Sequence, residues 1–181
     1  MLPFWYTYMG ILARFYPDEY RNSSYELEYE RYYAKGVRGI IFDIDNTLVE
    51  HGAAPDERAV ALMQKLNEIG FSVLVLSNNK QKRVESFAEG CGSFVKYIFK
   101  ADKPAKRGYI KAMEMLGTDI TDTMFVGDQI FTDVWGAKRI GIHSILVKPI
   151  DPREEIQIVL KRYLEKIVLS SYRRYKAKRE K

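Results

Sequence analysis

Two aspartates one residue apart, Asp43 and Asp45, close an apolar run, Ile40 to Val49, that reads IIFDIDNTLV. A carboxylate stripped of water costs several kcal/mol unless a cation or hydrogen bonds compensate it, so a tandem pair at the end of a buried strand needs a strong reason. A bound metal ion and a phosphate would supply one. Further along stand Ser77, Asn78 and Asn79 in LSNNK, Lys103 in FKADKPAKRG, and Gly127, Asp128 and Asp133 in FVGDQIFTD. A phosphate ester repels nucleophiles, and its transfer calls for a hard cation, a lysine and amide or hydroxyl donors around the equatorial oxygens. Mg²⁺ takes oxygen ligands and needs only one or two carboxylates, which Asp43 and Asp128 can provide. Singly, each feature has a bland reading: D-x-D as a cap or turn, S-N-N as a loop, Lys103 as a solvated surface lysine. Their order along the chain raises them above it.

The elements that must position these residues alternate. Strands are expected at Val37 to Phe42, Phe71 to Leu76, Phe94 to Phe99, Met124 to Val126 and His143 to Val147. Amphipathic helices are expected at Pro55 to Ile69, Lys80 to Glu89, Pro104 to Leu116 and Ile130 to Ile140, with Gly70, Gly90, Gly117 and Gly141 where each should stop. Before them, Ser23 and Glu26 offer a capping box for a tyrosine-rich helical segment that ends at Gly36. Strands joined by single helices, several apolar on both faces, imply an α/β fold: a parallel sheet of about five strands with helices on both faces. Such sheets bind ligands at the carboxyl ends of their strands, which is where the polar groups fall. Asp43 and Asp45, two apart on an extended chain, point the same way.

The run GIIFDIDNTLV, with LSNN, DKPAKRG and VGDQIFTDVWGAKRIG, resembles the haloacid dehalogenase (HAD) superfamily of phosphatases, more narrowly the YqeG-type branch of its subclass IIIA, over about Gly39 to Pro149. The resemblance implies a Rossmann-like core and a Mg²⁺-dependent phosphomonoester hydrolase. Asp43 would attack phosphorus and form an aspartyl-phosphate; Asp45 would protonate the leaving alcohol and then take a proton from water. Asp43, Asp128 and the main-chain carbonyl of Asp45 would hold Mg²⁺. Ser77 and Lys103, with Asn78 as a helper, would bind the phosphoryl group, and Asp133 would orient Lys103 or a metal-bound water. Thr47 is expected to fix the turn after the strand.

Many members of that superfamily carry a cap domain over the site, but Glu50 to Ala54 and Asn79 to Ala101 leave no room for one. An open site suits a phosphate projecting from something large. The resemblance reaches mitochondrial phosphatidylglycerophosphate phosphatases, which makes a membrane-borne phospholipid monophosphate the expected substrate. Phe4, Trp5, Tyr6, Tyr8, Phe15 and Tyr16 suit a bilayer interface, although core packing or a dimer contact would use them equally well. A polynucleotide end phosphatase is the rival enzyme, disfavoured because the aromatics do not interleave with basic residues. A receiver-like module that holds phosphate and Mg²⁺ without catalysis is the rival of another class; Asp45 argues against it, since such a module needs no leaving-group acid.

The chain has 181 residues, enough for one core, and a formal charge of +5. Six of its last ten residues, YRRYKAKREK, are Lys or Arg. These organise as an aromatic-rich helical segment over 1–36, a catalytic domain over 37–169 and a basic tail over 170–181. The tail reads as a solvated helix end or as a contact for acidic lipid or nucleic acid. The apolar amino terminus is interrupted by Arg14 and falls short of the roughly 20 residues a membrane span needs. With Cys91 as a lone cysteine in a Gly-Cys-Gly context, the expected location is cytoplasmic, with peripheral contact at the inner face of the membrane. His51 and His143 receive no role.

Overall fold

The computed structural model describes residues 12–151 and 156–179, with side chains over 12–151 and 163–177. The expectation for Phe4, Trp5, Tyr6 and Tyr8 lies outside the described residues. Strand β1 (Glu19–Arg21) is followed by a 3₁₀ turn (Ser24–Glu26) and helix α1 (Tyr29–Ala34). Then come β2 (Gly39–Phe42), α2 (Glu57–Ile69), β3 (Ser72–Leu76), α3 (Gln81–Cys91), β4 (Lys96–Ile98), α4 (Lys106–Leu116) and β5 (Thr123–Gly127). A π-helical turn (Ile130–Val134) leads into the short α5 (Trp135–Lys138), and β6 (His143–Val147) precedes the long α6 (Ile156–Arg179).

All pairings are parallel, in the order β1-β6-β5-β2-β3-β4. The chain lays β3 and β4 to one side of β2, then returns to lay β5 and β6 on the other. The reversal falls between β2 and β5, where a parallel sheet opens a crevice at its carboxyl edge. Phe42 stands level with both Val75 and Val126. The chain therefore leaves β2, β3 and β5 at one height, and Asp43, Ser77 and Asp128 surround the same opening.

The sheet has six strands, one more than the alternating pattern indicates. The extra strand is β1, three residues at the edge, whose sequence Glu-Tyr-Arg carries no apolar signal. Its position is fixed by polar contacts. Asp18 N donates to Ser144 O at 3.0 Å, and Asp18 Oδ2 accepts from Ser144 N at 2.9 Å and Ser144 Oγ at 2.8 Å. The Ser23 and Glu26 capping box is not formed: Ser23 Oγ accepts from Tyr25 N at 3.2 Å and caps only a 3₁₀ turn, and α1 starts later, at Tyr29. Helix α3 runs past Gly90 to Cys91, which is buried at its last turn instead of lying in a loop.

Every residue of β2 and β5 is buried. Ile40 and Phe42 face a core shared with Leu62, Met63 and Leu66 of α2 and Val84 and Phe87 of α3. Ile41, one residue out of phase, faces Tyr109, Met113 and Leu116 of α4 on the other side. Each such side chain gains about 1.5–3 kcal/mol on leaving water, so both faces hold β2 in place. A third cluster joins Tyr16, Ile130, Val134 and Leu146 to Val168 and Tyr172 of α6. Phe15 packs on Phe131 and Trp135 at centroid distances of 5.3 and 5.5 Å. The two described aromatics of the amino-terminal group thus contact protein. Helix α6 continues through 170–179, with Arg173, Arg174 and Lys176 exposed. No helix among the described residues is long and apolar enough to cross a membrane.

Candidate active site

Asp43 N donates to Val126 O at 2.9 Å, extending the β2–β5 ladder by one residue before the chain turns. The turn is tight: Thr47 N and Leu48 N both donate to Ile44 O, at 3.2 and 2.9 Å, and Asn46 adopts φ 62°, a left-handed conformation that asparagine tolerates. Two side chains from outside the loop hold it. Ser24 Oγ, fully buried, donates to Thr47 O at 2.7 Å, and Tyr25 OH donates to Leu48 O. Asp43 is held by these bonds at the end of β2 and is buried.

Lys103 Nζ donates to Asp43 Oδ1 at 2.5 Å and to Asp133 Oδ1 at 2.7 Å. Asp43, Asp128 and Asp133 each bring a carboxylate oxygen within 4.8 Å of the others, and all three are buried. Asp128 Oδ1 accepts from Thr47 Oγ1 at 3.3 Å, so Thr47 touches the cluster as well as the turn. Asp133 Oδ2 accepts from Gln129 N at 3.0 Å, which ties the π turn back on itself. Burial pushes the Asp43 carboxyl up to about 7, with Lys103 opposing and Asp133 reinforcing the shift. Burial pulls the Lys103 ammonium down, but Asp133 and Asp43 outweigh it and keep the lysine charged. Lys106, at the start of α4, is exposed and forms no part of this cluster.

The donor set fits a divalent cation. Three buried carboxyl groups face one ammonium, a crowding of acidic groups that burial opposes and that a divalent cation would offset. All the side-chain ligands are hard oxygens, which favours Mg²⁺ or a similar ion over softer metals.

Asp45 takes its hydrogen bonds from outside this cluster, while its charge still acts on Asp43. Its Oδ1 accepts from Gly52 N at 2.8 Å and from Arg83 Nη2 at 3.1 Å, and its Oδ2 accepts from Asn79 Nδ2 at 2.7 Å. Ser77 is buried at the end of β3, and its Oγ accepts from Asn79 N at 3.1 Å. Asn78 is engaged with the lysine loop: its Oδ1 accepts from Lys103 N at 2.7 Å and its Nδ2 donates to Lys103 O at 3.1 Å. Asn78 therefore sets the main chain that carries Lys103. Tyr109 OH, from α4, donates to Thr132 O at 2.8 Å and steadies the π turn below Asp133. Arg83 and Tyr109 did not stand out in the sequence: Arg83 follows two lysines in the exposed first turn of a helix, and Tyr109 lies on an ordinary apolar stripe. Glu50 to Asp56 form a loop without helix or strand, so no cap domain is inserted between β2 and α2.

Over residues 51–141 the chain matches the haloacid dehalogenase-like hydrolase family. It is similar to "Probable phosphatase YqeG" of Bacillus subtilis, 34% identical over 163 residues that span 88% of this chain and 92% of that one. A shorter match, 25% identical over 101 residues, covers 52% of this chain and 42% of glyceraldehyde 3-phosphate phosphatase from Pyrococcus abyssi. In fold it resembles a HAD phosphatase from Thermococcus onnurineus, with a TM-score of 0.53 at 14% identity over 66% of this chain and 90% of that chain. The chain belongs to the haloacid dehalogenase-like hydrolases and is a phosphatase of that family.

Proposed function

We propose that the chain hydrolyses phosphate monoesters through an aspartyl-phosphate on Asp43, with Mg²⁺ as cofactor and a membrane-borne phospholipid monophosphate, of the phosphatidylglycerophosphate kind, as substrate. The observation that carries the chemistry is the buried cluster of Asp43, Asp128 and Asp133, with Lys103 bonded to Asp43 and Asp133, at the switch point of the sheet. Asp43, Asp128 and the main-chain carbonyl of Asp45 would hold the ion, which when bound neutralises charge on the phosphoryl oxygens. Asp43 then attacks phosphorus as the carboxylate, in line with the departing alcohol. Lys103 and Ser77 hold the phosphoryl oxygens, Asn78 keeps the Lys103 loop in register, and Asp133 aims the ammonium. Asp45 gives its proton to the leaving oxygen and, in the second half-reaction, removes one from the water that releases phosphate.

The absence of a cap domain inserted after β2 or β3, among the described residues, supports a large substrate, because a small metabolite gains most from an enclosing cap. The cations that follow β3 and β4, among them exposed Lys80, Lys82, Lys100, Lys106 and Arg107, suit an anionic surface beside the reacting phosphate. Phosphate release from p-nitrophenyl phosphate, from phosphatidylglycerophosphate in anionic vesicles and from a 3′-phosphorylated oligonucleotide tests the reading. Metal-dependent release fastest on the lipid supports it. Faster release from the oligonucleotide moves the substrate to nucleic acid, and no release from any of the three contradicts catalysis on these classes.

A further inference from the structure

Asp45 is held by three donors from three different segments: Gly52 N on the loop after β2, Asn79 on the loop after β3, and Arg83 in the first turn of α3. Arg83 is the one charged partner among them, and the pair is sheltered, with side chains only 19% and 13% exposed. The guanidinium lies 5.4 Å from the ring centroid of Phe87, one helical turn on and fully buried. Among the described residues its buried Nε has no hydrogen-bond partner, while Nη2 donates to Asp45 and the guanidinium lies by the Phe87 ring. An exposed surface pair would leave all its nitrogens in water and contribute about 0–1 kcal/mol. The desolvation accepted here indicates a demand on geometry.

We propose that Arg83 is the positioning residue for Asp45, setting the carboxyl where it meets the leaving-group oxygen of the substrate; the inference rests on the acid–base role given to Asp45 above. Its consequence is a dependence on the leaving group. A good leaving group departs with little help from an acid, whereas a basic one needs the proton delivered in place. A residue that only fastened α3 to the nucleophile loop would affect all substrates alike.

The test is a series of substituted phenyl phosphates of graded leaving-group basicity, from p-nitrophenyl to unsubstituted phenyl phosphate, read as kcat/KM. This parameter reports the steps up to phosphoryl transfer and excludes hydrolysis of the phosphoenzyme. For Arg83→Met, kcat/KM on phenyl phosphate should fall about tenfold or more beyond its fall on p-nitrophenyl phosphate, steepening the dependence on leaving-group basicity. Arg83→Lys should restore part of the difference, and Asn79→Ala should reproduce it in weaker form. An equal fall across the series, or none, overturns the inference while leaving the proposed function standing if release still requires Asp43. Release that is unaffected by Asp43→Asn overturns both.

Discussion

Gly127 and Asp133 stand so close that a Cβ on residue 127 would lie 2.5 Å from Asp133 Oδ2 and 2.7 Å from its Cβ and Cγ. Asp133 reaches Lys103 because β5 ends in glycine and because the chain then winds as a π turn, which brings its fourth residue back over the strand end. Gly127→Ala must displace a buried carboxylate that is bonded to both an ammonium and a main-chain amide. It should lose about 1–3 kcal/mol in denaturant unfolding and at least about tenfold in phosphatase turnover. Wild-type turnover in this variant would show that the placement of Asp133 is immaterial.

The crowding of three carboxylates predicts stabilisation by a divalent cation independent of any assay of activity. A ligand at a hundred times its Kd adds about 2.7 kcal/mol, so Mg²⁺ should raise the melting temperature by several degrees. Asp128→Asn should abolish most of that rise, and a conservative change at exposed Lys106 should leave it intact. An unchanged melting temperature of the wild type in millimolar Mg²⁺ would contradict the metal assignment.

Ser24 lies well before the nucleophile loop in sequence, yet its hydroxyl is fully buried against Thr47 O. Ser24→Ala removes the donor and leaves a buried carbonyl without that bond, a loss of about 1–3 kcal/mol. Because the loop carries Asp43 and Asp45, kcat should fall several-fold more than KM changes. Stability loss without any effect on kcat would reduce this contact to a packing role.

Glu19 joins β1 to β6 and α1. Its Oε1 lies 3.0 Å from His143 Nε2, and its Oε2 accepts from Arg21 Nε at 3.0 Å and Tyr32 OH at 2.9 Å. His143, then Arg21 and Tyr32, hold its carboxyl down at about 2, against the opposing effect of burial. A folded-state value below the unfolded one means that the stabilisation is complete above about pH 4.5 and is lost as the pH falls toward 2. Unfolding curves over this window should show the wild type weakening with acid. Glu19→Gln should start about 1 kcal/mol weaker at pH 7 and show a smaller decline. Parallel curves for the two proteins would remove Glu19 from the acid response.

The parts of the fold that could be read from the sequence are those with a strong apolar pattern. β2, β3, β5 and β6 are mostly apolar and largely buried, and the polar groups at the carboxyl ends of β2, β3 and β5 marked the crevice. β1 escaped because an edge strand of three residues, fixed by Asp18 and Ser144, shows neither alternation nor an apolar run. The π turn escaped because QIFTDVWGA has ordinary helical spacing, and nothing in it announces one extra residue per turn. Arg83 and Ser24 escaped for a common reason: each acts through a contact with a distant loop, and a linear motif records only the residues within it.

The central claim is that Asp43 carries the phosphoryl group during turnover, and trapping that intermediate tests it most directly. Wild type reacting with p-nitrophenyl phosphate and Mg²⁺ is quenched rapidly in acid and its peptides are weighed. A gain of one phosphoryl group on the peptide containing Asp43, absent in Asp43→Asn, whose turnover should fall by at least about a thousandfold, is the predicted result. Sustained turnover by Asp43→Asn, or steady phosphate release with no phosphoryl group on Asp43, would contradict it.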